Sequence, residues 1–309
     1  MRFFINQTNP TGGPGIFGNR LAKAIARRGH EFTNTFPLDL NISFITGEYY
    51  ESATNLLRLD GLYLDSGMPE INRQAENAPI FDSYNRFDKI IFQSEFSKKV
   101  YEAFTGTVRP NEVIHNGVPI TFNPFDRHEV DDKVIIASAS WRRHKRLEEA
   151  IEAFKSSELK HVKLVVLNAH DYVKKTKIDV PDNVQIMGSV PPHELYDWYQ
   201  RAHGMIHLCW LDSCPNSVVE ALACGTPVLC SHNGGTKELI KHNGVVIKLE
   251  EDYHPGKLVD LYNPPKVNLN TIVEGVHELL ETDTGFYRKD LEIRQVAQKY
   301  IDTWESAAG

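Results

Sequence analysis

The sequence predicts an α/β protein made of two doubly wound, Rossmann-like domains. The chain has 309 residues, which is enough for two domains of about 150 residues each. Short apolar runs typical of buried strands alternate with stretches of helical spacing, and Gly-rich loops lie between them. The sequence contains no run of about 18 apolar residues, which a membrane-spanning helix would require. The first residues lack the apolar core of a secretion signal, so we expect a cytoplasmic protein.

The first strand–loop–helix unit lies at the N-terminus. Residues 2–6 are predicted as a strand, residues 12–15 as a Gly-rich loop and residues 16–28 as a helix that Gly29 ends. The glycine spacing does not match G-x-G-x-x-G, so a dinucleotide site is not indicated. The loop is either a ligand contact or a tight turn.

A charged pair interrupts the apolar run at residues 56–63. Arg58 and Asp60 stand among leucines ahead of a glycine. Such a pair is a candidate for a cleft, and a buried structural ion pair is the alternative. Further along, Ser94 or Glu95 is predicted to cap a helix. Residues 122–132, which show no period, are predicted as a linker.

The second half opens with a strand at residues 134–138 and a loop crowded with cations. The loop carries four of them, Arg142, Arg143, Lys145 and Arg146. Because like charges repel, the cluster needs an anionic partner or full solvation. A diphosphate is a natural partner for Arg and Lys side chains.

Residues 205–240 repeat the strand–loop–helix pattern twice. Helices are predicted to start near residues 216 and 236, and the N–H groups of a helix start can bind phosphate. Asp212 and Glu220 lie eight residues apart around the first of these junctions. From the spacing alone, this is either a phosphate site or the generic loop of any α/β protein.

Cysteine content and charge exclude two classes of partner. All four cysteines lie within residues 209–230, at spacings that match no zinc pattern, and are predicted to be core residues. The net charge of −7 argues against nucleic acid as a partner.

The stretch from Asp212 to Leu239 resembles the donor-site signature of family-4 glycosyltransferases of the GT-B fold. The shared features are an acid, a small polar loop, Glu220, the run A-L-A-C-G-T-P-V at residues 221–228 and G-G-T-K-E-L at 234–239. Asp212 departs from the family, whose first acid is Glu. The resemblance implies a GT-B fold, two Rossmann-like domains facing each other across a cleft.

The resemblance also implies roles for individual residues. Arg142 and Lys145 would hold the donor diphosphate, Glu220 the ribose and Asp212 the sugar hydroxyls. The remaining predicted donor contacts are Gly13, Gly15, Val190 (to the base through its backbone), Asn216, Ser217 and Val218. The family places a His near Asp60; here Asp60 or Arg58 would replace it. The predicted catalytic residues are Asp60, Arg142, Lys145, Asp212 and Glu220.

The implied domains are an acceptor-side domain at residues 1–125 and a donor-binding domain at 126–289. The sequence predicts a last helix over residues 286–304, and the resemblance implies that a final helix at about 290–309 packs back on the first domain. The basic stripe of helix 16–28 is a candidate for peripheral contact with the inner face of a membrane, since some members of the family use lipid-linked acceptors.

The implied function is a retaining glycosyltransferase in glycan, polysaccharide or glycolipid assembly. It would move a sugar from a nucleotide-diphospho-sugar to a hydroxyl of a glycan or lipid-linked acceptor. We expect no cofactor and no metal, because no Asp-x-Asp site stands in a suitable place. A nucleotide-sugar epimerase, a glycosyl phosphorylase and a non-catalytic nucleotide-sugar binding protein of the same fold remain alternatives.

Overall fold

The computed structural model describes residues 1–9, 12–120 and 133–308, and the chain divides into two compact units. The first takes its described residues from Met1–Pro119, His254–Val259 and Lys289–Gly309, and the second from Ile120–Tyr253 and Asp260–Arg288. Each unit holds a six-stranded parallel sheet, as the α/β prediction requires. The predicted linker and the predicted boundary between residues 125 and 126 lie outside the described residues.

The first unit has the strand order β2-β1-β3-β4-β5-β6. Its elements are β1 (Arg2–Ile5), α1 (Gly12–Ala26), β2 (Glu31–Phe32), β3 (Leu40–Phe44), β4 (Thr54–Leu59), α2 (Glu70–Arg86), β5 (Lys89–Phe92), α3 (Glu95–Thr105), β6 (Asn111–Val113) and, from the end of the chain, α10 (Ile293–Ala308). Helices α1 and α10 share one hydrophobic core with β1 and β3. Helices α2 and α3 share another with β4 and β5. The predicted cap of α3 is confirmed, because the Ser94 hydroxyl accepts the N–H of Ser97.

The second unit has the order β12-β11-β10-β7-β8-β9. Its elements are β7 (Lys133–Ser138), α4 (Leu147–Ala153), β8 (Val162–Leu167), α5 (His170–Thr176), β9 (Val184–Ile186), α6 (Pro192–Arg201), β10 (Gly204–His207), α7 (Asn216–Ala223), β11 (Val228–Ser231), α8 (Thr236–Ile240), β12 (Gly244–Ile247) and α9 (Leu269–Glu281). Counted from β7, this is the order 3-2-1-4-5-6 of nucleotide-binding sheets. The order reverses between β7 and β10, so the loops after these two strands are where such sheets bind ligands.

Two predicted helix starts are wrong. Helix α1 begins at Gly12, so the glycines that were predicted as a loop form its first turn. A Cβ on Gly15 would lie 1.9 Å from the carbonyl oxygen of Asn9, so the glycine lets the preceding chain cross the helix.

The last helix was predicted to begin at residue 286 and begins at Ile293. The intervening backbone bonds to loops of the second unit instead: Gly285 N–H donates to Gly225 O at 2.8 Å, and Phe286 O accepts from the Asn243 amide at 3.2 Å. Helix α10 itself belongs to the first unit. Among the described residues, no helix has the length and apolar character that crossing a membrane would require.

Candidate active site

The loop that follows β7 is shaped by a short turn and a left-handed residue. Residues Arg143–Lys145 form one 3₁₀ turn, and Arg146, at φ 58°, redirects the chain into α4. The Trp141 indole N–H donates to Leu167 O at 2.8 Å and anchors the start of the loop. These contacts fix the direction in which Lys145 leaves the backbone.

The loop that follows β10 is tied to the first loop and to the start of α8. Trp210 N–H donates to His144 O at 2.9 Å, and Gly235 N–H donates to Asp212 O at 2.7 Å. Gly234 has φ 87°, and a Cβ there would lie 2.7 Å from Asp212 O. A glycine is therefore required for the close approach that holds Asp212 in place.

Lys145 and Asp212 form an ion pair between these two loops. Each side chain is only 17% exposed. Burial alone would raise the pKa of Asp212, but the Lys145 ammonium outweighs it and holds that pKa well below its usual range. Burial likewise lowers the pKa of Lys145, and the Asp212 carboxylate more than offsets it and raises that pKa. Both groups are charged at neutral pH.

Two histidines stand beside this pair and are neutral at pH 7. Burial, reinforced by the positive charge of Lys145, lowers the pKa of His144 to about 4. Burial also lowers the pKa of His207, whose Nε2 lies 3.6 Å from the Asp212 carboxylate. The charge of Lys145 is therefore balanced by Asp212, and the histidines add no charge to the site.

The basic cluster after β7 is mostly neutralised from within the protein. Besides the Lys145–Asp212 pair, Arg143 binds Glu149 through two hydrogen bonds of 2.6 and 2.8 Å. Arg146, fully buried, pairs with Glu250 at 2.6 Å. Three of the four cations therefore have internal carboxylate partners, and the prediction that the cluster needs an external anion or full solvation is wrong for them.

Arg142 differs from the other three members of the cluster. It is exposed, and in the part of the chain that the structure describes it makes no ion pair. An anion that approaches this loop would meet Arg142 first and would then compete with Asp212 for Lys145.

Helix α7 begins at Asn216, and Pro215 alone separates it from the buried Cys214. Asn216 and Ser217 are partly exposed in its first turn, and no side chain caps it. Val218 is fully buried, and its N–H already donates to Pro215 O at 3.1 Å. The predicted phosphate contacts are thus better supplied by Asn216 and Ser217 than by Val218.

Glu220 lies one turn further along α7 and is 8% exposed. The Tyr199 hydroxyl donates to its carboxylate at 3.4 Å. Burial and the charge of Glu220 raise the pKa of Tyr199 well above its usual value, so the tyrosine stays a donor.

Val190, the predicted base contact, follows β9. Its N–H donates to the side-chain oxygen of Asn168 at 3.0 Å, and its side chain is buried. The backbone donor of Val190 is therefore used inside the protein, a point that the sequence did not reveal.

The predicted residues of the first unit lie at two places. Arg58 is 1% exposed, with its guanidinium 4.6 and 4.7 Å from the ring centres of Phe17 and Phe44. It donates to Asp60, and also to Asn116 at 2.6 Å. Gly13 is exposed near the start of α1, whereas Gly15 is buried there.

Asp60 lies just past the end of β4 and keeps an exposed edge of 23%. Burial raises its pKa, and Arg58 opposes this effect. Gln93 donates to the same carboxylate at 2.7 Å. Arg58 is thus a core residue. The sequence analysis missed Gln93 as a partner, since it stands 33 positions away.

His207, Cys209 and Asp212 form the one group among the described residues with the donor set of a metal site. Their ligand atoms lie within 4.8 Å of one another. The Lys145 ammonium already contacts Asp212 and the Cys209 thiol, whose pKa burial raises to about 12. A divalent cation would be repelled by Lys145 and would meet a protonated thiol, so the group does not fit a metal.

Comparisons with known proteins bear on both units. Residues 121–260 match the family model described as glycosyl transferases group 1. No curated protein matches the sequence.

Three solved structures are similar over nearly the whole chain. Sucrose-phosphate synthase (tll1590) from Thermosynechococcus elongatus has a TM-score of 0.66 at 13% identity, over 99% of this chain and 96% of that one. Anabaena Alr3699/HepE in complex with UDP-glucose has a TM-score of 0.63 at 17% identity, over 99% of each chain. WaaG, a glycosyltransferase involved in lipopolysaccharide biosynthesis, has a TM-score of 0.60 at 14% identity, over 100% of this chain and 98% of that one.

Proposed function

Since the chain has the GT-B fold, with a group 1 glycosyl transferase region at residues 121–260, we propose that it is a retaining, metal-independent transferase. It moves a sugar from a nucleotide-diphospho-sugar to a hydroxyl of a glycan or lipid-linked acceptor. The observation that carries the proposal is the Lys145–Asp212 pair between the loops after β7 and β10. These loops flank the point where the strand order reverses, which is the ligand position of such sheets.

The diphosphate of the donor is held by cations and by helix amides. Arg142 supplies an exposed guanidinium, and Lys145 supplies an ammonium that is charged at every physiological pH. The first turn of α7, with Asn216 and Ser217, adds N–H groups and the positive end of the helix dipole. As the bond to the sugar breaks, negative charge grows on the leaving diphosphate, and these groups stabilise it.

Glu220 and Asp212 bind the sugar portions of the donor. Glu220 is buried on α7 and held by Tyr199, so its carboxylate is positioned to accept hydrogen bonds from ribose hydroxyls. Asp212 keeps part of its surface exposed, and its carboxylate accepts hydrogen bonds from hydroxyls of the transferred sugar. The leaving phosphate itself takes the proton of the acceptor hydroxyl, as the family resemblance implies for a retaining enzyme.

The acceptor class is supported by the surface of α1. Lys23 is exposed on this helix and Arg27 is exposed just past its end, whereas Arg28 donates to Arg294 O at 2.5 Å. Two free basic side chains provide a modest attraction to an anionic membrane, on the order of 1 kcal/mol each. A lipid-linked acceptor at the cytoplasmic face fits this arrangement.

The test is a donor screen that begins with UDP-glucose, the compound bound by the HepE structure. Release of the corresponding nucleoside diphosphate is measured with each sugar nucleotide, with and without EDTA. We expect slow donor hydrolysis or transfer with at least one sugar nucleotide, unchanged by EDTA. Absence of binding to every sugar nucleotide would contradict the proposed donor site. Loss of activity with EDTA and its recovery with Mg²⁺ or Mn²⁺ would contradict metal independence.

A further inference from the structure

A polar pocket lies in the first unit, on the face of the sheet opposite α1. Along β3, Leu40, Ile42 and Phe44 pack into the core that α1 and α10 share. The alternate residues, Asn41 and Ser43, point to the other face. A cavity of about 500 Å³ stands over them, a size typical of small-molecule sites.

The pocket exists because this part of the sheet has no covering helix. The connection from β3 to β4, residues 45–53, contains none. The next two connections contain α2 and α3, which bury Leu57 and Phe92 of the neighbouring strands. Above the floor, the cavity is bordered by the 45–53 loop, by the C-terminal half of α2 and, at the end of β1, by Phe4 and Asn6.

The floor of the pocket is polar, uncharged and buried. Asn41 and Ser43 are 0% and 1% exposed. The Asn41 amide donates to Glu48 O at 2.8 Å and to the Asn55 side chain at 3.0 Å. The Ser43 hydroxyl donates to the side-chain oxygen of Asn41 at 3.4 Å. In the described part of the chain, that amide oxygen therefore has only this long hydrogen bond and retains acceptor capacity.

The rim of the pocket is rigid and already ordered. Asn6 donates to Thr46 O at 2.7 Å, and Gly47 N–H donates to the Ser83 hydroxyl at 3.3 Å. A Cβ on Gly47 would lie 2.0 Å from the Ser43 hydroxyl, so the loop sits directly on the floor. Ordering the loop in advance lowers the entropic cost of binding.

The side chains at the rim favour a neutral, hydroxyl-rich ligand. Tyr50 donates to Glu48 at 3.0 Å, and Arg86 pairs with Asp82 at 2.7 Å. The single cation is thus neutralised, which disfavours a phosphate. Both carboxylates keep acceptor lone pairs, and Phe4 adds an apolar ring to the lining.

We propose that this pocket binds a saccharide. Hydroxyl groups of the sugar donate to Asp82 and Glu48, and the C–H face of the ring packs on an aromatic side chain. Its role as the subsite for the glycan part of the acceptor rests on the proposed function. The binding itself depends only on the geometry of the first unit.

The test uses ligand-observed saturation-transfer NMR on the full chain. The probes are glucose, galactose, mannose, N-acetylglucosamine and maltose, each titrated against wild type, Asp82→Ala and Tyr50→Ala. The matched control is Glu76→Ala, which removes another exposed carboxylate of α2 that does not line the cavity. Circular dichroism establishes that each variant is folded.

We expect at least one probe to bind wild type and Glu76→Ala equally, and Asp82→Ala and Tyr50→Ala at least tenfold more weakly. Binding by none of the probes, binding that is equal in all folded variants, or a signal that inorganic phosphate displaces would each overturn the proposal. Binding of the sugar nucleotides of the donor screen is measured on the same samples. If none of them binds while a saccharide does, the proposed function fails and the pocket stands. If a sugar nucleotide binds and no saccharide does, the pocket alone is ruled out.

Discussion

Lys145 and Asp212 neutralise each other where water has little access, and this coupling decides how each responds to substitution. Lys145→Ala removes the cation that the donor diphosphate needs, so we expect the transfer rate to fall by two decades or more, about 3 kcal/mol. It also leaves a buried carboxylate uncompensated, which lowers the free energy of unfolding by about 3 kcal/mol. Initial rates with the donor found by the screen, together with urea unfolding, measure the two effects.

A double variant separates the two effects. Lys145→Met combined with Asp212→Asn removes both charges, so it should recover most of the lost stability and none of the activity. Arg143→Ala, which breaks a partly exposed pair with Glu149 in the same loop, is the control for a general disturbance. Full activity of Lys145→Ala would contradict the assignment of this residue to the diphosphate.

His144 gives the unfolding free energy a pH dependence. Its pKa is about 4 in the folded protein, against an ordinary value of 6.5, because burial and Lys145 disfavour the imidazolium. Between these values the unfolded chain holds more protons, so stability is complete above pH 6.5 and falls as the pH drops toward 4. We expect the urea midpoint of His144→Gln to fall less than that of wild type between pH 7 and pH 5.

His170→Gln is the control for this experiment, since the His170 side chain is 70% exposed. His207, buried beside Asp212, has a lowered pKa as well and leaves part of the pH dependence in every variant. Equal pH slopes for wild type and His144→Gln would contradict the prediction.

At the scale of residues, the sequence revealed which side chains matter better than it revealed what they contact. Lys145, Asp212 and Glu220 followed from residue types at helix starts and from the family resemblance. The partners of the basic loop did not, because Asp212 is 67 positions from Lys145 and Glu250 is 104 from Arg146. No local pattern encodes contacts that the folding of the sheet creates.

The start of α1 depends on glycines that the preceding chain crosses. A Cβ on Gly18 would lie 1.8 Å from the carbonyl oxygen of Gln7 and 3.3 Å from the ring of Phe44. In an open helix position, Ala is about 1 kcal/mol better than Gly. Here the collision with backbone outweighs that gain, and we expect Gly18→Ala to lower the free energy of unfolding by about 1–3 kcal/mol.

The control for α1 is Gly61→Ala, where nothing lies within 4 Å of the added Cβ. Urea unfolding of the two variants beside wild type checks the difference. A Gly18→Ala protein as stable as Gly61→Ala would show that the chain at residues 7–9 does not press against the helix.

At the scale of elements, the apolar periodicity predicted the strands well and the helix ends poorly. The glycines at residues 12–15 suggest a loop because Gly weakens helices. Helix α1 nevertheless begins at Gly12, and Gly15 must be a glycine because a Cβ there would collide with Asn9 O of the crossing chain. Residues 286–292 have acceptable helix propensity, but Gly225 and Asn243 bond to the backbone of Gly285 and Phe286 at the start of this stretch. Contacts between distant parts of the chain, which the sequence does not show, set both boundaries.

At the scale of the whole molecule, the GT-B fold predicted from the sequence is confirmed by the similar solved structures, and residues 121–260 match the family model of glycosyl transferases group 1. The assembly of the first unit from three segments was only partly predictable. The return of α10 was expected from the family, but residues 254–259 were not: Val259 pairs with the backbone of residues 64–66. That pairing leaves no signal in a Pro-rich, irregular stretch.

Each unit has its own hydrophobic core, so we expect calorimetry of the full chain to resolve two unfolding transitions. Gly18→Ala lies in the first unit and should lower the temperature of only one transition. That transition then belongs to the first unit and the other to the second. A donor that binds at Lys145 and α7 then raises the temperature of the other transition. At a donor concentration of 100 times Kd, binding adds about 2.7 kcal/mol to the free energy of unfolding of that unit. For a unit of this size, this is a rise of roughly 5–10 °C. Lys145→Ala should abolish that shift. If the donor raised the transition that Gly18→Ala lowers, the donor site would belong to the first unit, and the assignment of the diphosphate to the loops after β7 and β10 would be wrong.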